Sequence, residues 1–121
     1  YMAAETIADE IKNVPLYDQT KIRNWVLGNK DSDDALIRQD LITLKQTMWN
    51  YVGLSRSKNR LMRAQAMLEE LSFEIQKFYR DAILKDELIG LRNSVEVSLA
   101  ILSASLRNKE SVGCFYINDR Y

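Results

Sequence analysis

Apolar side chains along most of this chain recur at intervals of three and four, the period of one helix face. Ile37, Leu41, Leu44, Met48 and Tyr51 form the first such run. Leu61, Ala64, Leu68, Leu71, Ile75 and Phe78 form the second, beyond Gly53. Leu88, Leu91, Val95, Leu99, Leu102 and Leu106 form the third. Alternating steps of three and four make a seven-residue repeat, the pattern of a packing seam. The runs predict helices over about 33–52, 57–80 and 87–108. Asp31 or Ser32 is expected to cap the first, with Asp33 and Asp34 near the positive end of its dipole, Ser57 the second and Asp86 the third. Small residues Ser98, Ser103, Ala104 and Ser105 would let a neighbouring helix approach the third closely.

The junction at 48–56 organises these helices. Gly53 follows the first helix, where a left-handed glycine commonly closes the last turn. Trp49 and Tyr51 are expected to fill the floor of the bundle, as aromatics at a helix end often do. Met48, Met62 and Met67 read as gap-filling core or ordinary surface. Ahead of the bundle, Ala4, Ile7, Ala8 and Ile11 predict a short helix over 3–12, too short to be stable without a partner surface. Asn13-Val14-Pro15 breaks it. The connection over 13–31 carries an apolar patch at Ile22, Trp25, Val26 and Leu27, which is either a helical turn lying on the domain or surface facing a neighbour.

No alternating run signals a sheet. The fold class is therefore all-α: an up-down-up three-helix bundle, spectrin-repeat-like, with a short N-terminal helix and an irregular C-terminal tail. Residues 1–31 read as helix and linker, and 32–121 as the bundle with its tail. The tail, 109–121, carries three aromatics with no partner strand, so it either wraps the bundle or docks onto another domain, and docking is the expectation.

Composition narrows the chemistry. The 121 residues carry 17 basic and 17 acidic groups, so nothing global draws the chain toward nucleic acid or anionic lipid. No apolar run is long enough to span a bilayer. Histidine is absent, which removes imidazole bases, His-activated nucleophiles and His metal ligands. The lone Cys114 allows no internal disulfide and fits a reducing compartment such as the cytoplasm. None of the four glycines belongs to a phosphate-binding loop. Only carboxylates or lysines are left for catalysis, and the acidic residues are expected to spread along outward faces. Arg56, Lys58, Arg60 and Arg63 put four cations into eight residues at the start of the second helix, where they oppose its dipole. A solvated basic turn is the ordinary explanation.

Three sequence blocks carry a resemblance. Met48-Trp49-Asn50-Tyr51-Val52-Gly53, ending at Arg56, resembles the MW-x-YVG-x-x-R elbow of the L-aspartate oxidase family. Leu88-Ile89-Gly90-Leu91-Arg92-Asn93-Ser94-Val95 is a second block. Arg107-Asn108-Lys109-Glu110-Ser111, with Gly113, Tyr116 and Asp119, resembles the ending that family shares, in related form, with succinate dehydrogenase and fumarate reductase flavoproteins. The resemblance implies a three-helix C-terminal domain of an FAD enzyme that oxidises L-aspartate to iminoaspartate for quinolinate and NAD synthesis. It also implies that the flavin-binding and capping domains, which hold FAD and the catalytic residues, lie outside this stretch, and that 3–12 ends the flavin domain. No catalytic, cofactor-binding or metal-binding residue is therefore expected here. Val112 and Phe115 stand where the family has Arg and His, and Asp119-Arg120-Tyr121 where it has DYP.

The expected interdomain contacts are Arg56, Arg107, Lys109, Glu110, Ser111, Phe115 and Tyr116. A chain opening on Tyr1 reads as a fragment, whose uncovered apolar surface around Trp25 and Phe115 would favour a homodimer. The alternatives are a free-standing helical interaction module, or the same domain of a succinate dehydrogenase or fumarate reductase flavoprotein.

Overall fold

A computed structural model of the chain describes residues 2–12, 26 and 28–118. Helix α1 spans Met2–Glu10, α2 Asp34–Val52, α3 Lys58–Tyr79 and α4 Asp86–Arg107. Two-residue strands, β1 at Ser55–Arg56 and β2 at Tyr116–Ile117, complete the order α1-α2-β1-α3-α4-β2. The three long helices form the expected bundle. Leu61, Leu68, Leu88, Leu91 and Leu102 are almost wholly buried along its axis, flanked by Ile37, Leu44, Ala64, Ile75 and Val95. Each fully buried leucine contributes about 1.5–3 kcal/mol of transfer free energy. Half-buried Leu41, Met48, Tyr51, Phe78, Leu99 and Leu106 pack against this core, so every position of the three predicted stripes lies in it or on it.

Cap assignments differ in detail. Asp33, not Asp31 or Ser32, caps α2, its carboxylate accepting from the Ala35 N–H at 2.8 Å. Asp31 is held elsewhere, 2.9 Å from the Lys85 ammonium. Ser57 caps α3 as expected, accepting from the Arg60 N–H at 3.4 Å. Lys85 occupies the cap position of α4 without a side-chain cap, and Asp86 is the first helical residue, where its charge still suits the dipole. Of the small residues on α4, Ser98 and Ser105 are buried, whereas Ser103 and Ala104 face solvent. Met62 and Met67 are exposed surface.

Helix α1 ends two residues earlier than expected, and residues 4–12 are all exposed. The predicted break at Asn13-Val14-Pro15, and Ile22, Trp25 and Leu27 of the connecting patch, lie outside the described residues; Val26 is exposed. Farther on, the segment before α2 pairs with the α3–α4 connection. The Lys30 N–H donates to the Asp81 carbonyl at 3.0 Å and the Ile83 N–H to the Lys30 carbonyl at 2.8 Å. Gly28 allows this approach, because a Cβ there would stand 2.3 Å from the Asp81 backbone.

Candidate functional site

The elbow is built from the end of α2. Gly53 has φ −67°, so the turn is not the left-handed closure expected. The chain instead folds back so tightly that a Cβ on Gly53 would meet the Trp49 carbonyl at 2.6 Å. Glycine is required by that approach and not by its backbone angles. The Arg56 Nε then donates to the Val52 carbonyl at 3.0 Å, satisfying one of the free carbonyls at the C-terminus of α2.

The tail finds the partner strand that sequence patterning does not reveal. After α4, the Glu110 N–H donates to Asn108 Oδ1 at 3.3 Å. Val112 and Phe115 exchange two backbone hydrogen bonds of 3.0 Å around a turn in which Gly113 takes φ 58°. Strand β2 then lies parallel to β1, with Ser55 opposite Tyr116 and Arg56 opposite Ile117. Ser111 Oγ accepts from the Ile117 N–H at 3.1 Å, and the Asn118 N–H donates to the Arg56 carbonyl at 2.6 Å. The Arg56 guanidinium lies over the Phe115 ring, 4.7 Å from its centroid. The tail therefore wraps onto the elbow of its own bundle, the alternative to docking, and Ser55–Arg56 is the partner strand the patterning does not reveal.

Each predicted contact residue has a place in this clasp or beside it. Arg56, Ser111, Phe115 and Tyr116 form it. Arg107 donates from Nε to the Ser103 carbonyl at 3.3 Å, satisfying the end of α4, while the Lys109 and Glu110 side chains are exposed. The dipole conflict is also smaller than the sequence suggests. Two helix C-termini, of α2 and α4, share this end with the single N-terminus of α3, and Arg56 and Arg107 serve those C-termini. Arg63 adds a contact to the Tyr51 ring at 5.9 Å.

Trp49 does not fill the floor of the bundle: it is 81% exposed. It lies one position off the stripe that contains Met48, so the period itself placed it outside. Tyr51, on the stripe, is half-buried against the core. With Leu54, Val112 and Tyr116, at 80%, 66% and 55% exposure, Trp49 makes the elbow end rich in uncovered apolar side chains. Sequence reasoning missed Leu54 and Asn118, the latter because its role depends on a pairing across some sixty residues.

The opposite end is acidic. Lys85 bridges Asp31 at 2.9 Å and Asp34 at 3.1 Å, and Lys30 pairs with Asp81 at 2.8 Å. Hydrogen bonding to these lysines holds the Asp31 and Asp81 carboxyls below the ordinary range, and the same contacts push the Lys85 ammonium up. A groove of about 610 Å³ runs here between α2 and α3, lined among others by Asp31, Asp33, Asp40, Glu74 and Phe78. Partial burial, with the Glu74 charge adding, raises the Asp40 carboxyl. These two acids line a common groove, where the sequence reading expects acidic residues spread along outward faces.

Among the described residues no cluster could hold a metal ion, and no helix is long and apolar enough to cross a membrane. Among the described residues, the 610 Å³ groove sets five carboxylates, Asp31, Asp33, Asp40, Glu74 and Asp81, against two ammonium groups, Lys30 and Lys77, a net negative lining that does not suit the diphosphate of FAD, and the notch beside Arg56 and Arg60 is only about 80 Å³.

Residues 42–121 match the family described as fumarate reductase flavoprotein C-term. The chain is 37% identical over 109 residues to the L-aspartate oxidase of Acinetobacter baylyi, covering 90% of this chain and 19% of that protein. It is 33% identical to the Pseudomonas aeruginosa L-aspartate oxidase and 31% to that of Yersinia pestis, over 89% of this chain in each case. The chain spans about a fifth of the length of these curated relatives, 19% in each. The matched stretch, residues 42–121, holds most of α2 and all of α3, α4 and the clasp, and by that match the chain belongs to the fumarate reductase flavoprotein C-terminal family.

Proposed function

We propose that this domain is the docking and packing module of an FAD-dependent L-aspartate oxidase, whose flavin site and catalytic residues lie in the other four fifths of the protein. The observation that carries the reading is the elbow end. There a structured clasp presents Trp49, Leu54, Val112 and Tyr116 to solvent, although the bundle core has abundant apolar residues of its own. Other large apolar side chains, among them Leu36, Phe73 and Val97, are exposed elsewhere, but those at the elbow stand beside a tail held in place by backbone pairing, which supports reading this end as a surface that meets another protein surface. On this reading residues 1–31 continue a preceding flavin domain, and residues 32–121 form the C-terminal domain. The whole protein would oxidise L-aspartate to iminoaspartate, feeding quinolinate and NAD synthesis in the cytoplasm. This domain would contribute no catalytic group.

Two measurements test the reading. The purified chain, mixed with FAD, is expected to give no shift in flavin absorbance or fluorescence; tight, stoichiometric binding would overturn the assignment. The coding sequence ahead of Tyr1 is expected to encode a Gly-rich dinucleotide-binding fingerprint. A start codon immediately upstream would instead support a free-standing interaction module.

A further inference from the structure

The bundle is electrically polar along its axis. Its described ion pairs, Lys30–Asp81, Lys85–Asp31 and Lys85–Asp34, all sit at the end where α2 begins. About 33 Å away, one length of α3, the elbow end carries cations in excess. Most of these are accounted for within the domain. Arg56 and Arg107 serve the terminal carbonyls of α2 and α4, and Arg63 lies over Tyr51.

Arg60 is different. Among the described residues its side chain has no ion pair, hydrogen bond or ring contact. It is exposed in the first turn of α3, a turn that contains no acidic residue. A cation there costs about 0.3–1 kcal/mol of helix stability, and no described residue pairs with it to offset that cost. Beside it lies a notch of about 80 Å³ bounded by Ser55, Arg56, Ser57, Arg60 and Asn118. The notch includes the Arg56 and Arg60 side chains and has room for a carboxylate, and exposed Leu54 precedes Ser55 of its lining in the chain.

We infer that Arg60 is an interdomain ion-pair residue: the surface that covers the elbow end is apolar where it meets Trp49 and Leu54, and presents an Asp or Glu carboxylate to Arg60. The occupant is an acidic side chain from the remainder of the same flavoprotein chain. This inference rests on the docking reading above and deepens it. An approaching surface of that kind pairs with Arg60, which lines the notch and for which the described residues supply no partner, and positive potential at the elbow favours the approach.

The test compares Arg60→Glu with the parent sequence in two settings, the isolated chain and the full-length flavoprotein. In the isolated chain the substitution is expected to leave the unfolding midpoint unchanged or raise it, since an acid suits the start of a helix. In the full-length protein it is expected to speed amide exchange at Leu54 and at 112–118 at least ~10-fold, the effect of losing one partly buried ion pair. Arg60→Lys should recover most of the protection, and added NaCl should mimic the loss. Equal exchange at the elbow in the isolated chain and the full-length protein would overturn the docking reading itself. Elbow amides protected in the full-length protein, yet indifferent to Arg60→Glu and to salt, would overturn only the acidic partner. Salt-sensitive self-association of the isolated chain, abolished by Arg60→Glu, would also overturn it by assigning the surface to a second copy.

Discussion

At the scale of single residues, the structure separates positions that hold the bundle from positions that face outward. Leu61 and Leu102 are fully buried, so truncation to Ala is expected to cost about 2–5 kcal/mol in urea or thermal unfolding. Trp49→Ala is expected to change the stability of the isolated domain by under ~0.5 kcal/mol, because the indole is 81% exposed. A buried floor residue would lose about 3–5 kcal/mol on the same change, so one unfolding curve distinguishes the two roles. Asp40 gives a pH signature. Its carboxyl is raised in the folded state, so its charged form costs stability once the pH rises above the folded value, and the penalty vanishes below the ordinary 3.8. Asp40→Asn should therefore raise the unfolding midpoint at pH 7, with the difference shrinking as the pH is lowered. Asp31 and Asp81 act in the opposite sense. Their lowered values contribute stability above 3.8 that disappears on acidification, while the raised Lys85 contributes below 10.5 and is lost as the pH climbs past its folded value. Acid titration of the wild-type domain thus weakens the ion pairs at one end of the bundle while relieving Asp40 along the adjoining groove.

At the scale of elements, the clasp between β1 and β2 is local and weakly held. It rests on a two-residue parallel pairing, one serine hydrogen bond and a guanidinium over a ring. An exposed cation–π contact contributes about 0.5–1 kcal/mol, so Phe115→Ala is expected to accelerate amide exchange at Ile117 and Asn118 while leaving the α3 and α4 amides as they were. Uniform acceleration through the helices would mean that the tail is part of the bundle core. The elements also show what was legible before any coordinates. All three long helices follow from the stripes, because a side chain's face is fixed by a period of three and four. The Ser57 cap follows from side-chain chemistry that acts over three residues. The strands do not follow, since two residues have no period and their partner lies some sixty positions away. Gly53 is legible as a turn residue, but the physical reason it must be glycine is not. Its need for glycine comes from contact with the Trp49 carbonyl, not from a positive φ. Gly28 could not be read at all, because its constraint is imposed by the distant backbone at Asp81 and Ala82.

At the scale of the whole molecule, the two ends of the bundle are unlike. One is closed by ion pairs between the segment before α2 and the α3–α4 connection. The other carries cations and exposed Trp49, Leu54, Val112 and Tyr116 around a structured clasp. The predicted contact residues fall together at this second end, although sequence alone supplied their names through resemblance and not their mutual geometry. A domain with such an end, spanning a fifth of its relatives, is accounted for if that end is a seat for the rest of the protein. The most direct measurement is hydroxyl-radical footprinting, read residue by residue at Trp49, Leu54 and Tyr116 in the isolated chain and in the full-length flavoprotein. The account predicts strong labelling in the isolated chain and several-fold protection of all three in the full-length protein, with exposed Phe73 on the outer face of α3 labelled alike in both. Equal labelling of Trp49, Leu54 and Tyr116 in the two forms would contradict it.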